Sequence, residues 1–335
     1  MNLTTNYLGL KLKNPIIIGA SNLVSDINMA KKLEEAGAAA FVYKSLFQEQ
    51  LELEAADLED ELHAYDERNA EMITLFPKIE HSGPKAHLLA IKKLKEAVSV
   101  PVIASLNCTD PKIWVEYAIY LEKVGIDALE LNFYNNTSTT SLTAVEVEND
   151  QISILQAVKK AVKIPVSVKL SPFYSNTLNV VKRMDDAGAN GFVLFNKLFQ
   201  PDIDIENQTM RMPYNLSNKG EYRLSLRYTG LLFGQVKGEI CSNTGILDGE
   251  DLIALLLSGA STVQVVSTIY KNGPVQISRM LSELETFMTQ KGYQSINDFK
   301  GKLSKSKIKE PFAYQRAQYI DYLMKSKDII KQFQI

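Results

Sequence analysis

The residues best suited to chemistry are lysines and asparagines that close short apolar runs. Lys44 and Lys169 lie near the ends of two such runs, and Asn132 and Asn196 end two others. A lysine buried there needs an anionic or strongly accepting partner, because burying an unpaired charge is costly. Amides supply donors and acceptors that suit a flat heterocycle or another amide. For each residue taken singly, a local salt bridge, a turn or a helix cap is the alternative explanation. Several lysines and asparagines at the ends of such runs together favour a small-molecule site.

Two later apolar runs end in residues that suit a phosphate group. Thr244 and Gly245 follow the first of these runs, and Ser267 and Thr268 follow the second. Backbone N–H groups and hydroxyls bind a phosphate dianion, and glycine lets the backbone approach it closely. Other small or polar residues at run ends are Ala20, Ser21, Ser45, Asn107, Tyr134 and Asn135.

A repeating pattern of strands and helices positions these run ends. The apolar runs that indicate buried strands cover 14–21, 38–44, 100–105, 127–132, 164–170, 191–196, 238–242 and 262–267. Helical spacing predicts helices over 25–36, 87–98 and 111–124, from about 151, 176, 225 and 249, and over 275–290. These β/α units predict an α/β fold, a (β/α)8 TIM barrel with its carboxyl strand ends at one mouth. A doubly wound sheet is the alternative, but no Gly-x-Gly-x-x-Gly turn follows the first strand.

A short repeat supports this count of units. Gly37, Gly125, Gly188 and Gly259 each end a predicted helix, and an apolar strand opens four residues later. Such glycines are typical of the left-handed residue that ends a helix before a strand. We therefore expect all four to have positive φ.

Two predicted loops are far longer than usual, at 45–86 after the second strand and 197–221 after the sixth. The first is acidic, with leucines at partly helical spacing, which predicts an amphipathic helix packed over the barrel mouth. A carboxylate metal site is the weaker alternative. His63, His81 and His87 lie on or near this loop and are interpreted as surface or packing residues.

Composition narrows the class of protein. The chain has 335 residues, 37 basic and 39 acidic, so no basic field favours nucleic acid or an anionic membrane. No apolar run is long enough to span a membrane, and the first residues lack a signal pattern. Cys108 and Cys241 are too few for a disulfide frame or a zinc site. We expect a soluble cytoplasmic protein with two core thiols, and the lack of a Ser–His–Asp set or a His-x-x-x-His pair disfavours a hydrolase or zinc enzyme.

At these residues the chain resembles the dihydroorotate dehydrogenase family, in its soluble class 1 branch, from about Leu8 to Leu303. The segments that carry the resemblance are 14–21, 43–45, 129–132, 168–172, 195–196, 244–246, 259–268 and 288–301. The resemblance implies an oxidoreductase of pyrimidine biosynthesis that holds FMN at the mouth of a barrel. It also implies a dimer, in some relatives joined to an iron–sulfur protein; any such centre would belong to another subunit, because this chain has no cysteine cluster.

The resemblance assigns roles to the strand-end residues. The flavin phosphate would lie on Thr244, Gly245, Ser267 and Thr268. Lys169 would lie by the pyrimidine edge of the flavin, where a cation favours the anionic reduced ring. The remaining cofactor or substrate contacts would be Ala20, Ser21, Lys44, Ser45, Asn107, Asn132 and Asn196, with Lys44 between flavin and substrate.

The chain departs from the family at the catalytic base. Class 1 relatives follow the shared asparagine with Leu-Ser-Cys-Pro-Asn, whose cysteine takes a proton from the substrate. Here Asn135 stands at the cysteine position, and an amide has no usable basic lone pair near neutral pH. Proton transfer would fall to Tyr134, Lys44 or water. The prediction is hydride transfer between flavin and a small cyclic or amide-containing substrate that need not be dihydroorotate.

Two other functions stay open. The missing base also fits a flavin-holding subunit or sensor with no reaction of its own, served by a protein redox partner. A barrel enzyme without flavin, acting on a phosphorylated substrate through a Schiff base on Lys169, is the other. The division predicted is a barrel domain over 1–304 and a helical extension over 305–335 that packs on the barrel or on a second subunit.

Overall fold

The computed structural model describes residues 1–48, 85–134, 139–315, 317–325 and 331. Its centre is a closed barrel of parallel strands. The barrel strands are β3 (Ile16–Ser21), β4 (Ala40–Phe47), β5 (Val102–Asn107), β6 (Ala128–Asn132), β7 (Val166–Leu170), β8 (Gly191–Leu194), β11 (Glu239–Asn243) and β12 (Thr262–Val265). Their order around the barrel is β11-β12-β3-β4-β5-β6-β7-β8. The predicted (β/α)8 barrel is confirmed.

Helices alternate with these strands along the chain. They are α1 (Ile27–Glu35), α2 (Lys85–Ala97), α3 (Pro111–Val124), α4 (Ala144–Ala161), α5 (Thr177–Asp186), α6 (Arg223–Leu232), α7 (Gly249–Ser258), α8 (Ser267–Asn272), α9 (Val275–Lys291) and, after the barrel, α10 (Ala317–Met324). Helix α4 begins earlier than the predicted residue 151, because Thr143 and Glu146 form a capping box at its start. The repeat glycines 37, 125, 188 and 259 all have positive φ, as expected.

Two small hairpins lie outside the barrel sheet. Strands β1 (Thr5–Tyr7) and β2 (Leu10–Leu12) pair antiparallel, as do β9 (Asp202–Asp204) and β10 (Thr209–Arg211). The first hairpin packs its buried residues with the apolar interior side chains of the barrel strands. The second lies inside the long segment after β8, where no strand was predicted.

The core has the two layers that alternation along buried strands produces. One set of strand residues packs outward on the helices, and the other forms the barrel interior. Towards the carboxyl ends the interior becomes polar, with Ser105, Glu130, Asn132, Lys169 and Gln264 all buried. The apolar layer below supports a polar layer at the mouth, where the candidate site lies.

Part of the chain after the barrel packs against α6. The Arg227 guanidinium donates to the carbonyl oxygens of Ala313 and Tyr314, at 3.2 Å each. The Tyr314 hydroxyl donates to Leu303 O at 2.8 Å. None of the helices in the described ranges is long and apolar enough to cross a membrane.

Candidate active site

The carboxyl ends of β3, β11 and β12 line a cavity of about 730 Å³. This volume lies within the range of small-molecule and cofactor sites. Among the predicted cofactor residues, those that line it are Ala20, Ser21, Thr244, Gly245 and Ser267. The first and last strands of the barrel, β3 and β12, pair with each other and close the sheet. The first cavity therefore brings together residues from the beginning and the end of the barrel sequence.

The loop after β11 has an unusual backbone. Thr244 and Gly245 have φ of 73° and 75°, so two consecutive residues are left-handed. A Cβ at Gly245 would lie 2.5 Å from the backbone nitrogen of Tyr222, a distance that real contacts do not allow. Thr244, a β-branched residue for which such a φ is strained, donates its hydroxyl to Phe195 O at 2.9 Å. Backbone rather than side chain thus faces the cavity at Gly245.

The two hydroxyl residues after β12 differ in their surroundings. Ser267 lines the first cavity and accepts the N–H of Ser217 at 2.9 Å, which leaves its own proton available. Thr268 is fully buried and donates to Leu247 O at 2.7 Å. Its hydroxyl holds the neighbouring loop, so a role in phosphate binding at Thr268 is limited to the backbone.

A second cavity of about 270 Å³ lies at the ends of β5 and β6 and is lined in part by Asn107, Asn132 and Tyr134. Asn107 Nδ2 donates to Asn132 O at 2.9 Å, and Asn132 Nδ2 donates to Ser45 Oγ at 3.2 Å. Asn132 Oδ1 is buried without a hydrogen-bond partner. The Tyr134 hydroxyl accepts the N–H of Phe199 at 2.9 Å, which joins this cavity to a residue that lines the first.

Asn196 follows β8 and is next to a residue that lines each of the two cavities, Thr244 for the first and Phe133 for the second. Its Nδ2 donates to Phe133 O at 3.4 Å, and it lines a small recess of about 40 Å³ with Thr244. Asn135 lies outside the described residues, as do Asn136, Thr137 and Ser138. Most of the long acidic loop, with His63 and His81, also lies outside them.

The two predicted lysines occupy different environments. Lys169 is 8% exposed, and its ammonium group makes no hydrogen bond or ion pair among the described residues. Lys44 is half-buried near His87. Burial of the imidazole, together with the charge of Lys44, lowers the pKa of His87 to about 4. His87 is therefore a neutral packing residue at neutral pH, with its ring edge-on to Tyr43.

Two interior residues, Glu130 and Gln264, were not singled out from the sequence. Glu130 lies at the centre of the barrel and accepts hydrogen bonds from Gln264 at 2.7 Å and from Ser105 at 3.2 Å. Gln264 lines the first cavity, and its Oε1 is buried without a partner. A single polar residue between apolar neighbours, as in Leu129-Glu130-Leu131 and Val263-Gln264-Val265, is the signal that marks them. Both buried cysteines match the prediction.

Metal chemistry finds no support in the residues described. No group of three His, Cys, Asp or Glu side chains in 1–48, 85–134 or the later described ranges is placed to hold an ion. The polar groups at the mouth are instead amides, hydroxyls and lysines. This set suits an organic ligand with hydrogen-bonding edges and an anionic end.

A closed parallel barrel with its polar groups at the carboxyl ends, and hydroxyl-bearing turns after its last two strands, belongs to the class of (β/α)8 barrel enzymes. Within that class the chain is a member of the dihydroorotate dehydrogenase family, because the family model described as dihydroorotate dehydrogenase matches residues 79–288. Members of this family are flavin-dependent oxidoreductases, so the resemblance drawn from the sequence is confirmed.

Curated relatives extend the match to nearly the whole chain. A dihydroorotate dehydrogenase B (NAD(+)) catalytic subunit from Thermoplasma volcanium is 28% identical over 307 residues, which cover 90% of this chain and 98% of the relative. A putative dihydroorotate dehydrogenase A (fumarate) from Aeropyrum pernix is 26% identical, over 89% of this chain and 96% of the relative. A catalytic subunit of the B type from Methanocaldococcus jannaschii is 27% identical, over 86% and 94%.

Proposed function

We propose that the protein binds FMN and transfers a hydride between the flavin and a small cyclic or amide-containing substrate. The observation that carries the proposal is the first cavity, where Gly245 and Ser267 meet Ala20 and Ser21. A phosphate at one end and a flat ring at the other would use both sets of residues. Membership of the dihydroorotate dehydrogenase family supports a role in pyrimidine biosynthesis.

The residues of the cavity, together with Lys169 in the barrel interior, fit FMN in three respects. Gly245 turns its backbone to the cavity where any side chain would strike Tyr222. Ser267 has a proton to donate, and Gln264 Oε1 is a buried acceptor that lacks a donor. Lys169 is a buried cation without an ion pair in the described residues. A ligand that makes the missing hydrogen bonds or ion pair of such buried groups stabilises the protein by binding.

Bound FMN would supply an acceptor or donor for two electrons and a proton. Lys169 would stabilise the negative charge that accumulates on the reduced ring, because its charge is fixed in a buried site. Ser45 and Asn107 would border the ring beside it. Asn132 and Asn196 would bind substrate or flavin edges, and Lys44 would contact both. The phosphate would be held by Thr244, Gly245, Ser267 and the backbone of Thr268.

Proton transfer distinguishes this chain from relatives with a cysteine base. Asn135 cannot take the proton, so the oxidation of dihydroorotate by the usual route is not proposed. Tyr134 is placed at the second cavity with its oxygen already accepting a hydrogen bond from Phe199. Because that bond leaves the phenol proton in place, Tyr134 is suited to donate or relay a proton at the substrate. Lys44 and water are the other groups that could serve.

A flavin-holding subunit is the second candidate function. Several relatives are named catalytic subunits, which implies that they work with a further protein. For this chain the same arrangement would make a partner protein the source or acceptor of electrons.

The proposal also includes a location in the cytoplasm and a homodimer. Its domain division is a barrel domain over 1–304 with a helical extension over 305–335.

The first experiment is the visible absorption spectrum of the purified protein, recorded without oxygen before and after addition of dihydroorotate. Flavin bands that bleach would restore the family reaction, and bands that persist would direct the search to other cyclic amides or to a partner protein. A protein that binds no FMN, even when it is added, contradicts the proposal. NAD⁺ and fumarate, named for relatives, are the acceptors to test first.

Lys44→Ala tests the assignment of the site. The variant should keep bound FMN but lose flavin reduction by a substrate that reduces the wild type. Lys95→Ala is the matched control, because Lys95 forms an ion pair with Asp127 at the outside of the barrel. Turnover at the wild-type rate in Lys44→Ala would refute the assignment.

A further inference from the structure

Five side chains form a continuous hydrogen-bonded chain across the barrel interior. Gln264 Nε2 donates to Glu130 Oε2 at 2.7 Å, and Ser105 Oγ donates to Glu130 Oε1 at 3.2 Å. Ser45 Oγ lies 2.7 Å from Ser105 Oγ, and Asn132 Nδ2 donates to Ser45 Oγ at 3.2 Å. Gln264 lines the first cavity and Asn132 lines the second, so the chain runs from one cavity to the other.

The carboxylate within this chain fixes the direction of every hydrogen bond. An ionised carboxylate only accepts, so Gln264 must turn its NH₂ group to Glu130, and Ser105 must use its one proton there. Ser105 Oγ can then only accept from Ser45. Ser45, having given its proton, can only accept from Asn132, which must turn its NH₂ group inward.

Two amide oxygens are consequently directed away from the chain. Gln264 is 1% exposed and Asn132 is 6% exposed, and the Oε1 and Oδ1 atoms of these residues are both buried without a partner. An unsatisfied buried acceptor is destabilising, so each oxygen is a place for a donor from a ligand. The carboxylate of Glu130 decides the orientation of both amides, because it can only accept hydrogen bonds.

We propose that Glu130 is a specificity-determining positioning residue that makes both cavities present carbonyl acceptors. Ligand groups that bind against Gln264 and Asn132 must therefore be N–H or O–H donors. The inference rests on the proposed function for the ligands themselves: a donor of the flavin at Gln264, and a ring N–H of the substrate at Asn132. A lactone or N-methylated ring in the second cavity would meet an unpaired acceptor and bind less well.

A neutral amide at position 130 would behave differently. It has one acceptor and one donor, so it can satisfy Gln264 and Ser105 together only by reversing one of the two branches. In Glu130→Gln, FMN affinity or the affinity of the second cavity for a ligand should fall about tenfold, while the other stays unchanged. Flavin fluorescence reports FMN binding to the apoprotein, and orotate, followed by the visible spectrum of the holoprotein, probes the second cavity.

An exchange of the two side chains provides the decisive test. Gln264→Glu places two groups that only accept at hydrogen-bond distance, so the variant should melt well below the wild type at pH 8 and recover towards pH 5. The double variant Glu130→Gln/Gln264→Glu restores one carboxylate and one amide. The bond between the two positions reverses, but the Ser105 branch keeps its direction and an acceptor oxygen still faces each cavity. It should recover the wild-type melting temperature at pH 8 and FMN affinity within about threefold.

The pH readout belongs to this pair of side chains. Tyr7 and Cys241 are the titratable groups on which the charge of Glu130 acts, and Glu239 also acts on Tyr7 and Lys169 on Cys241. Burial raises the pKa of Cys241 to about 12 and that of Tyr7 well above its usual value, so neither changes charge between pH 5 and 8. Lys169 and Glu239 are present in every variant, so the proteins compared differ only in the side chains at positions 130 and 264.

The outcomes separate the inference from the proposed function. A double variant as unstable as Gln264→Glu at pH 8, or a single variant without pH-dependent loss, overturns the inference. Equal loss of both ligands in Glu130→Gln also overturns it. A wild-type protein that never binds FMN removes the proposed function, yet the melting temperatures of the exchange pair still decide the polarity. If the visible spectrum of the holoprotein does not respond to orotate, these melting temperatures alone decide the direction of the hydrogen-bonded chain.

Discussion

Gly245→Ala tests whether the backbone of the loop after β11 forms the phosphate end of the cavity. Gly245 and Gly292 have nearly equal φ, 75° and 73°, so an alanine meets left-handed strain of about 1–2 kcal/mol at both. The surroundings differ. A Cβ at Gly292, which ends α9, has nothing within 4 Å, whereas at Gly245 it would lie 2.5 Å from Tyr222 N and 2.7 Å from Glu221 C. Gly292→Ala is therefore the matched control.

The expected loss of stability follows from the left-handed strain and from the steric overlap with backbone. Forced overpacking against backbone adds about 1–3 kcal/mol, so Gly245→Ala should lose about 2–5 kcal/mol and Gly292→Ala about 1–2 kcal/mol. For a chain of this size that is a fall in melting temperature of about 4–10 °C against about 2–4 °C. FMN affinity should fall at least about tenfold in Gly245→Ala alone, because the clash displaces the N–H groups proposed to hold the phosphate.

Thermal unfolding at a fixed scan rate measures the first effect, and titration of apoprotein with FMN measures the second. Equal melting temperatures for the two variants would refute the steric reasoning. Equal FMN affinities, with the expected difference in melting temperature, would refute the assignment of the loop to the phosphate.

Three further predictions concern other parts of the molecule. The folded pKa of His87 is about 4, below its unfolded value of about 6.5, so the unfolded state alone gains a proton between these values. Stability should therefore fall by about 3 kcal/mol from pH 7 to pH 4, and His87→Phe should remove that loss in denaturant titrations. Gly230→Ala places a Cβ 2.0 Å from the Tyr314 hydroxyl oxygen, so the segment after the barrel should be cut faster by trypsin, unlike in Tyr314→Phe, which keeps the ring. Lys219→Met should lower the melting temperature and the effect should shrink in 1 M salt, because Lys219 joins Asp248 and the fully buried Asp251; salt-independent loss would indicate a packing role instead.

The barrel could be predicted because strands buried on both faces must be apolar, and because the α-to-β joints need a left-handed residue. The same logic placed Ala20, Lys44, Asn132, Lys169 and Thr244 at strand ends that meet at one mouth. Short hairpins were missed, since strands such as Thr5–Tyr7 are too brief to show alternation. The earlier start of α4 was readable from Thr143 and Glu146 as a capping box.

The interior hydrogen-bonded chain could not be predicted in the same way. Gln264 and Glu130 are 134 residues apart, and their contact depends on strand order and register around the closed barrel. Sequence alternation shows only that each points inward. Separate cavities for Asn132 and Thr244 were likewise beyond a rule that places all strand ends at one mouth.

If FMN binds as proposed, the hydrogen bonds around Ser267 affect how it enters. Ser217 donates its backbone N–H to the Ser267 hydroxyl, and Lys271 donates to the carbonyl oxygen of the same Ser217 at 2.6 Å. This clasp lies at the end of the cavity proposed to hold the phosphate. Reconstitution with FMN should then have a rate that levels off at high FMN concentration, because opening of the clasp becomes the slow step. The same clasp would slow the loss of flavin, so the protein would exchange its cofactor less readily than its affinity alone requires.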